Sequence, residues 1–314
     1  MNTEFEPDTP IRFSHRCGAC GCGFSPRRRL FGAALLAAGA VLAAPALARE
    51  GVDVGKTSPA TRLVPAEQVE QAAQQQYRQM LQQAAQQRAL APNEHPQVLR
   101  LRAIAQRIIP FSYEWNERAR QWQWEVNLLG GKQINAFCMP GGKIAFWYGI
   151  LDQLKLSDDE VAMVMGHEVA HALREHARER IGKSMATRGV IELGSALFGL
   201  GGGGRYLADM GGQLLTLKFS RDDESEADLV GMELAARAGY DPRSGVSLWN
   251  KMAAASQGAP PEFMSTHPGG ASRIKDIEAN LPKVLPLYER AAKPQQRFAP
   301  PVAKAASVVK PERE

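Results

Sequence analysis

Cysteine is scarce in this sequence of 314 residues, which contains four. Cys17, Cys20 and Cys22 lie together near the N-terminus, and Cys138 stands alone. The first three precede the end of an expected export signal, so the mature chain would keep one thiol and could form no internal disulfide. We therefore expect the hydrophobic core to stabilise the fold without the help of disulfides.

The sequence also lacks a large net charge of either sign. The net charge is +5, from 38 Lys and Arg and 33 Asp and Glu. This excess is too small to predict a nucleic-acid-binding surface, and we expect no nucleic-acid partner. A modest attraction to anionic membrane surfaces is compatible with it.

Long, uninterrupted apolar runs are absent as well. Segment 30–48 is alanine-rich and contains Pro45, and segment 189–217 is broken by Glu192 and by the glycines at 201–204. A membrane-spanning helix needs about 20 consecutive, mostly apolar residues. Segment 189–217 therefore predicts no membrane span. Segment 30–48 could span the membrane only if the export signal were not cleaved.

The N-terminal segment has the parts of an export signal. Arginines at 27–29 precede the apolar stretch, which ends in Ala46-Leu47-Ala48. A basic region, an apolar region and a small-residue pattern are typical of a cleaved signal peptide. We expect residues 1–48 to be a signal of the twin-arginine type and the protein to be periplasmic. The general secretory route and an uncleaved anchor are the alternatives.

Residues 167–171 read His-Glu-Val-Ala-His, the H-E-x-x-H pattern of zinc hydrolases. Histidines four apart share one face of a helix, so His167 and His171 can bind the same metal ion. Glu168, beside the first, can reach a metal-bound water. Ser157 and Glu160 have the spacing of a capping box, which predicts that this helix begins there.

Two other histidines are not predicted to bind the metal. We expect the helix to continue through the charged residues 174–180 and to emerge into solvent before Gly182. His176 would then point about 140° away from His171 and be structural or solvated. His95 directly precedes Pro96, which predicts a turn or cap position at the start of a helix.

A third metal ligand is expected in the acidic segment 220–228. Glu224 and Asp228 are four residues apart and share a helix face, whereas Glu226 points about 200° away from Glu224. We favour Glu224 as the ligand, because Asp228 could then accept a ring N–H from a ligand histidine and fix its tautomer. An acidic helix start that only balances the helix dipole is the alternative.

Alternating residues upstream predict a small antiparallel sheet. Its strands are expected at 122–129, 133–139 and 143–148, separated by glycine-containing turns. An edge strand at Asn135, Ala136 and Phe137 could hold an extended peptide by main-chain hydrogen bonds. A purely supporting sheet is the other interpretation.

Four motifs in order resemble metallopeptidase family 48, which includes HtpX-like, BepA-like and CAAX-prenyl-protease-type enzymes. They are the H-E-x-x-H pentad, the E-x-x-x-D of Glu224 and Asp228, the N-A-F-x-x-P-G-G of residues 135–142, and the S-T-H-P of residues 265–268 followed by Arg273. The resemblance covers about residues 70 to 285 and favours a soluble, periplasmic branch of the family.

The resemblance implies one Zn²⁺ per chain, held by His167, His171 and Glu224. Glu168 would be the general base that takes a proton from the zinc-bound water. By the same resemblance, His267 and Arg273 would stabilise the developing oxyanion. His267 could instead close the open metal position as an inhibitory fourth ligand.

The expected fold is α+β and mainly helical, a zincin-like (gluzincin) domain with a small antiparallel sheet. We expect a linker at 49–65, the metallopeptidase domain at 66–285, a disordered tail at 286–314, and a mobile flap or plug within 189–217. The expected function is zinc-dependent hydrolysis of misfolded or unassembled cell-envelope proteins, with unfolded polypeptides as partners. A chaperone or assembly factor with an autoinhibited zinc site is the alternative.

Overall fold

The computed structural model describes residues 49–197, 214, 217–256, 262–268 and 271–301. The expected signal at 1–48 lies outside these ranges. So do most of the expected flap, including the glycines at 201–204, and the chain after residue 301.

The described residues are mainly helical, as predicted. The α-helices are α1 Ala66–Gln86, α2 Pro96–Ile108, α3 Tyr148–Gln153, α4 Asp158–Leu173, α5 His176–Leu197, α6 Arg221–Arg237, α7 Ser244–Ala255, α8 Glu262–Thr266 and α9 Ala271–Arg290. Short 3₁₀ helices cover Pro59–Leu63, Ile109–Glu114 and Glu117–Arg120. None of the helices in the described part of the chain is long and apolar enough to cross a membrane.

The sheet has three strands, but it is mixed rather than antiparallel. Strands β1 Glu125–Leu129, β2 Ala136–Met139 and β3 Lys143–Trp147 lie in the order β1-β3-β2. β2 and β3 form the expected antiparallel hairpin, whereas β1 runs parallel to β3, with Val126 opposite Ile144. Alternation in a sequence fixes which residues share a face but not the direction of a neighbouring strand, and so the all-antiparallel prediction was wrong.

Helix α4 is the centre of the core. All of its residues except Asp159 are buried, which is typical of a helix covered on every side. The predicted capping box is confirmed: Glu160 N–H donates to Ser157 Oγ (3.3 Å), and Ser157 N–H donates to Glu160 Oε2 (2.8 Å).

Helices α4 and α6 touch backbone to backbone at two glycines. A Cβ on Gly231 would lie 2.5 Å from the His167 nitrogen, and one on Gly166 would lie 2.5 Å from the Gly231 oxygen. No larger residue fits at either position without separating the helices. This contact brings the acidic first half of α6 against the pentad.

Helix α4 ends at Leu173, two residues after the pentad. Glu175 has a φ of 58°, in the left-handed region, and the chain changes direction before α5 begins at His176. The expected continuous, solvated helix was therefore wrong, and Arg174, His176 and Glu179 are all buried.

Both ends of the described chain differ from the expected domain boundaries. Val52 and Val64 in the expected linker are buried, and Val52 N–H donates to Glu233 Oε2 at 2.8 Å. At the other end, α9 continues to Arg290, and Phe298 N–H donates to Asp158 Oδ2 at 2.8 Å. Apolar and hydrogen-bonded contacts thus extend the packed chain beyond the range 66–285.

Candidate metal centre

The two pentad histidines face each other across one turn of α4. His167 Nε2 and His171 Nε2 are 3.0 Å apart, and both side chains are buried. A central, fully packed helix gives these nitrogens fixed positions. The geometry expected from the H-E-x-x-H spacing is present.

Glu224, rather than Glu226, joins the two histidines. Glu224 is completely buried; its Oε2 lies 3.4 Å from His167 Nε2, and its Oε1 lies 3.5 Å from His171 Nε2. Glu226 lies on another side of α6, where it pairs with Arg174. Of the two glutamates, the one that faces the pentad is Glu224, which the helical spacing favoured.

His267 completes a group of four side chains. It follows α8, and its Nδ1 lies 3.0 Å from Glu224 Oε1 and 3.3 Å from His167 Nε2. One ligand atom from each of His167, His171, Glu224 and His267 can be chosen so that all lie within 4.8 Å of one another. Imidazole nitrogens and a carboxylate are the donors that zinc accepts, so this donor set fits a zinc ion.

Asp228 lies behind His167, as the sequence predicted. Its Oδ1 is 3.0 Å from His167 Nδ1, the ring nitrogen that points away from the other histidines. A carboxylate at this position keeps the proton on Nδ1 and leaves Nε2 free to bind a metal.

Arg273 contacts the carboxylates of the site and does not line the cleft, and the oxyanion role expected for it stays a prediction. The guanidinium donates from Nε and Nη2 to the two oxygens of Asp228, each at 2.6 Å, and from Nη1 to Glu224 Oε2 at 2.7 Å. It also stacks on Trp249, with Cζ 3.8 Å from the ring centre. Arg273 is buried and holds both carboxylates from behind, because they are the nearest opposite charges.

Glu168 differs from the other acidic side chains of the site. Its Oε1 is buried without a hydrogen-bond partner, and His267 Nε2 lies 3.6 Å from it, beyond hydrogen-bonding distance. Burial raises the pKa of the Glu168 carboxyl. A carboxylate with an unsatisfied oxygen is suited to accept a proton from a water in the cleft.

The metal-free site has a marked charge pattern. Burial opposes protonation of His167, but hydrogen bonds to Asp228 and Glu224 outweigh it and raise the His167 pKa to about 9. Burial and the neighbouring His167 charge hold the pKa of His171 well below its usual value. Burial acts against ionised Glu224 and Asp228, yet hydrogen bonds from histidines to Glu224, and the Arg273 charge beside Asp228, lower their pKa values.

A cleft of about 260 Å³ opens beside this group. Glu168, His171 and His267 line it, together with the segment from Asn135 to Pro140. The rest of the lining is mostly apolar and includes Met139, Trp147, Ala172, Ala177, Leu214, Leu217 and Phe219. Leu214 and Leu217 place the end of the expected flap segment at the cleft.

Two of the three residues expected in an edge strand lie in one, and their role in holding a substrate stays a prediction. Ala136 and Phe137 lie in β2, the outer strand of the described sheet beside β3, and Asn135 directly precedes it. Asn135 accepts from Trp147 N–H (3.0 Å), and its side-chain oxygen accepts from Ala136 N–H (2.9 Å). β2 therefore pairs with β3 and also lines the cleft.

His176 was not predicted to belong to the site, but its side chain contacts His171. Its Nδ1 lies 2.9 Å from His171 Nδ1, and its side chain is 1% exposed. The separation of about 140° from His171 holds only for a continuous helix, whereas the chain turns at Glu175. No glycine or asparagine in the sequence marks that turn, so no local signal could have revealed it.

The chain belongs to peptidase family M48, whose family model matches residues 96–281, more than half of the sequence. The chain is 35% identical over 197 residues to the mitochondrial metalloendopeptidase OMA1 of Schizosaccharomyces pombe, a match that covers 62% of this chain and 56% of that protein. It is 40% identical over 167 residues to OMA1 of Arabidopsis thaliana, covering 52% of this chain and 33% of that protein.

A bacterial relative is also similar. The chain is 27% identical over 175 residues to the beta-barrel assembly-enhancing protease of Escherichia coli (strain K12), covering 52% of this chain and 36% of that protein. The matched region thus spans about a third to somewhat more than half of these three relatives.

These comparisons overturn the expected periplasmic location. Relatives from two yeasts and a plant, at 29% to 40% identity, are named as mitochondrial metalloendopeptidases. The location had been inferred from a basic and then alanine-rich N-terminal segment. Segments of that general composition also occur in signals for other compartments, so composition alone could not decide the destination.

Proposed function

We propose that this protein is a zinc-dependent endopeptidase that hydrolyses peptide bonds in unfolded or misfolded polypeptides. The observation that carries the proposal is the convergence of His167, His171 and Glu224 beside the unsatisfied oxygen of Glu168, at a cleft bordered by an edge strand. Family membership and the similarity to named metalloendopeptidases support it.

In this proposal His167, His171 and Glu224 hold one Zn²⁺ per chain. When bound, the ion supplies a Lewis acid that polarises the peptide carbonyl and makes water more acidic. Glu168 takes the proton from the attacking water and passes it to the leaving amine. Asp228 keeps the proton of His167 on Nδ1, and Arg273 neutralises the two carboxylates behind the histidines.

The cleft supports an extended substrate with an apolar residue near the cleaved bond. Main-chain groups of β2 can pair with an extended chain, a mode that places few demands on side chains. The apolar lining formed by residues such as Trp147 and Phe219 favours burial of an apolar side chain. Unfolded proteins expose such residues and native ones bury them. The expectation that the substrates are cell-envelope proteins was based on the periplasmic location, and it is withdrawn together with that location.

The test is cleavage of an unfolded protein such as casein by the purified chain, with Glu168→Gln as the matched control. The Gln variant keeps the size of the side chain but removes the base. We expect it to retain zinc and lose about a hundredfold to ten-thousandfold in rate. Equal cleavage by both proteins would contradict the assigned base, and loss of zinc in the variant would show that Glu168 is structural.

A second candidate is a chaperone or assembly factor whose metal site is closed by His267. The observation in its favour is that His267 Nδ1 and Glu224 Oε1 lie close enough together to bind the same metal ion. In that case His267→Ala should raise cleavage of casein, because it opens the closed position. If His267 instead donates to the oxyanion, the same substitution should lower the rate about a hundredfold or more and leave zinc content unchanged.

A further inference from the structure

The outer ring nitrogens of the two pentad histidines have different partners. His167 Nδ1 contacts the carboxylate of Asp228, whereas His171 Nδ1 contacts another imidazole, that of His176, at 2.9 Å. The His171 and His176 rings are nearly perpendicular, at 74°, with centres 5.0 Å apart. This edge-on arrangement points the ring nitrogens at each other.

The orientation of His171 fixes which atom needs an acceptor. Its Nε2 faces the other ligand atoms, 3.0 Å from His167 Nε2 and 3.5 Å from Glu224 Oε1. A neutral imidazole that offers Nε2 to a metal carries its proton on Nδ1. That N–H is buried, and the acceptor that the structure places before it is His176 Nδ1.

His176 must then carry its own proton on Nε2. This nitrogen lies 3.6 Å from Glu226 Oε2, too far for a hydrogen bond but close enough for the negative charge to favour a proton there. Arg174 pairs with Glu226 and also donates from Nη2 to the Gly55 oxygen at 3.0 Å. The carboxylate is thereby fixed in place beside the His176 ring.

Phe219 restricts the same ligand from its face. Its ring is stacked on His171, with centres 4.0 Å apart and planes at 26°. Stacking limits tilting of the imidazole, but it leaves rotation within the ring plane free. The contact with His176 is the one that selects which edge of the ring faces the metal.

We propose that His176 is a positioning residue for the metal site: it accepts the Nδ1–H of His171 and so holds Nε2 of that ligand towards the ion. This inference rests on the proposed function only in taking His171 as a metal ligand. Partners of this kind on metal-binding histidines typically contribute about ten- to a hundredfold to metal affinity.

Two substitutions of nearly equal size test the role. In His176→Asn, the side-chain oxygen stands at the same number of bonds from Cβ as the lost Nδ1, so it can still accept the proton. His176→Leu has a similar shape and offers no acceptor. Zinc affinity is measured by competition with a chromogenic chelator, alongside the urea unfolding midpoint of each metal-free protein.

We expect the Leu variant to bind zinc about ten- to a hundredfold more weakly than wild type and the Asn variant to stay within about threefold. In the Co²⁺-substituted proteins, the visible absorption bands should change in the Leu variant and be kept in the Asn variant. Equal zinc affinity in wild type and Leu would overturn the proposal. So would equal losses in Asn and Leu, since packing would then explain both.

His171→Ala, measured in the same way, separates this inference from the proposed function. If His171→Ala loses zinc but His176→Leu does not, the positioning role alone fails. If the wild-type chain binds no zinc at all, the metal site and the positioning role fail together.

Discussion

Arg273 is the residue whose contacts differ most from those expected from the sequence. Its position six residues after His267 suggested a group that stabilises the oxyanion, but it forms a buried pair with Asp228 and Glu224. The sequence shows that a basic residue is near the site, whereas the direction of its side chain depends on how α9 packs against α6. The sequence thus predicted a positive charge near the site but not the direction of the Arg273 side chain.

Arg273→Gln should therefore destabilise the metal-free protein. Removing one partner of a buried ion pair leaves the carboxylates of Asp228 and Glu224 without compensation, at a cost of about 3–5 kcal/mol. Urea unfolding of the metal-free variant measures this free energy. Arg290→Gln, which removes an exposed pair with Glu50, is the control and should change the midpoint little. A stable Arg273→Gln protein with slow turnover would support the oxyanion role.

The pKa of His167 gives the site a defined pH dependence. Because hydrogen bonds to Asp228 and Glu224 outweigh burial and raise this pKa from 6.5 to about 9, zinc must displace a proton throughout that interval. Zinc affinity should rise about tenfold per pH unit between 6.5 and 9 and then level off. Chelator competition across this range measures the slope, and a plateau beginning near pH 6.5 would contradict the raised pKa.

The stability of the metal-free chain should change in the opposite sense. A raised histidine pKa contributes stability that is complete below the unfolded value of 6.5 and is lost as the pH rises through about 9. The urea midpoint of the metal-free protein should thus fall over the range in which zinc binding strengthens. If zinc affinity and the urea midpoint instead rose together with pH, His167 would not be the group that controls both.

At the scale of secondary structure, local signals predicted where helices begin. Ser157 starts α4 with a capping box, and His95 caps α2, with Nδ1 accepting from Gln97 N–H at 3.2 Å, as the sequence indicated. The end of α4 was missed because Glu175 adopts a left-handed conformation without glycine or asparagine. The turn at Glu175 precedes α5, whose first residue, His176, contacts the ligand His171.

The crossing of α4 and α6 sets the distance between the pentad and Glu224. Gly231→Ala should push the helices apart, because the added Cβ would meet the backbone of His167. We expect a loss of about 1–3 kcal/mol in stability, together with weaker zinc binding. Unfolding and zinc competition measure the two effects.

Gly245→Ala is the matched control for this crossing. It also adds a methyl group to a glycine in a helix, α7, where the nearest atom is the flexible end of the Met163 side chain. We expect its stability and its zinc affinity to stay close to wild type. If Gly231→Ala behaved like this control, the close helix contact would not be what positions Glu224.

At the scale of the whole molecule, the sequence predicted the family, the mainly helical fold and the group of residues at the site. It did so because four motifs occur in order, and because helical spacing determines which side chains share a face. Strand direction, the extent of packed chain at both ends and the cellular location were not predicted. The first two depend on contacts between distant segments such as Val52 and Glu233, and the third was inferred from composition.

We propose that one zinc ion held by His167, His171 and Glu224 enables peptide-bond cleavage. The most direct measurement is to titrate the metal-free chain with Zn²⁺ while the new N-termini released from unfolded casein are counted. The rate should rise in proportion to zinc up to one equivalent per chain and should rise no further. Cleavage at full rate without zinc, or no cleavage at one equivalent, would contradict the proposal.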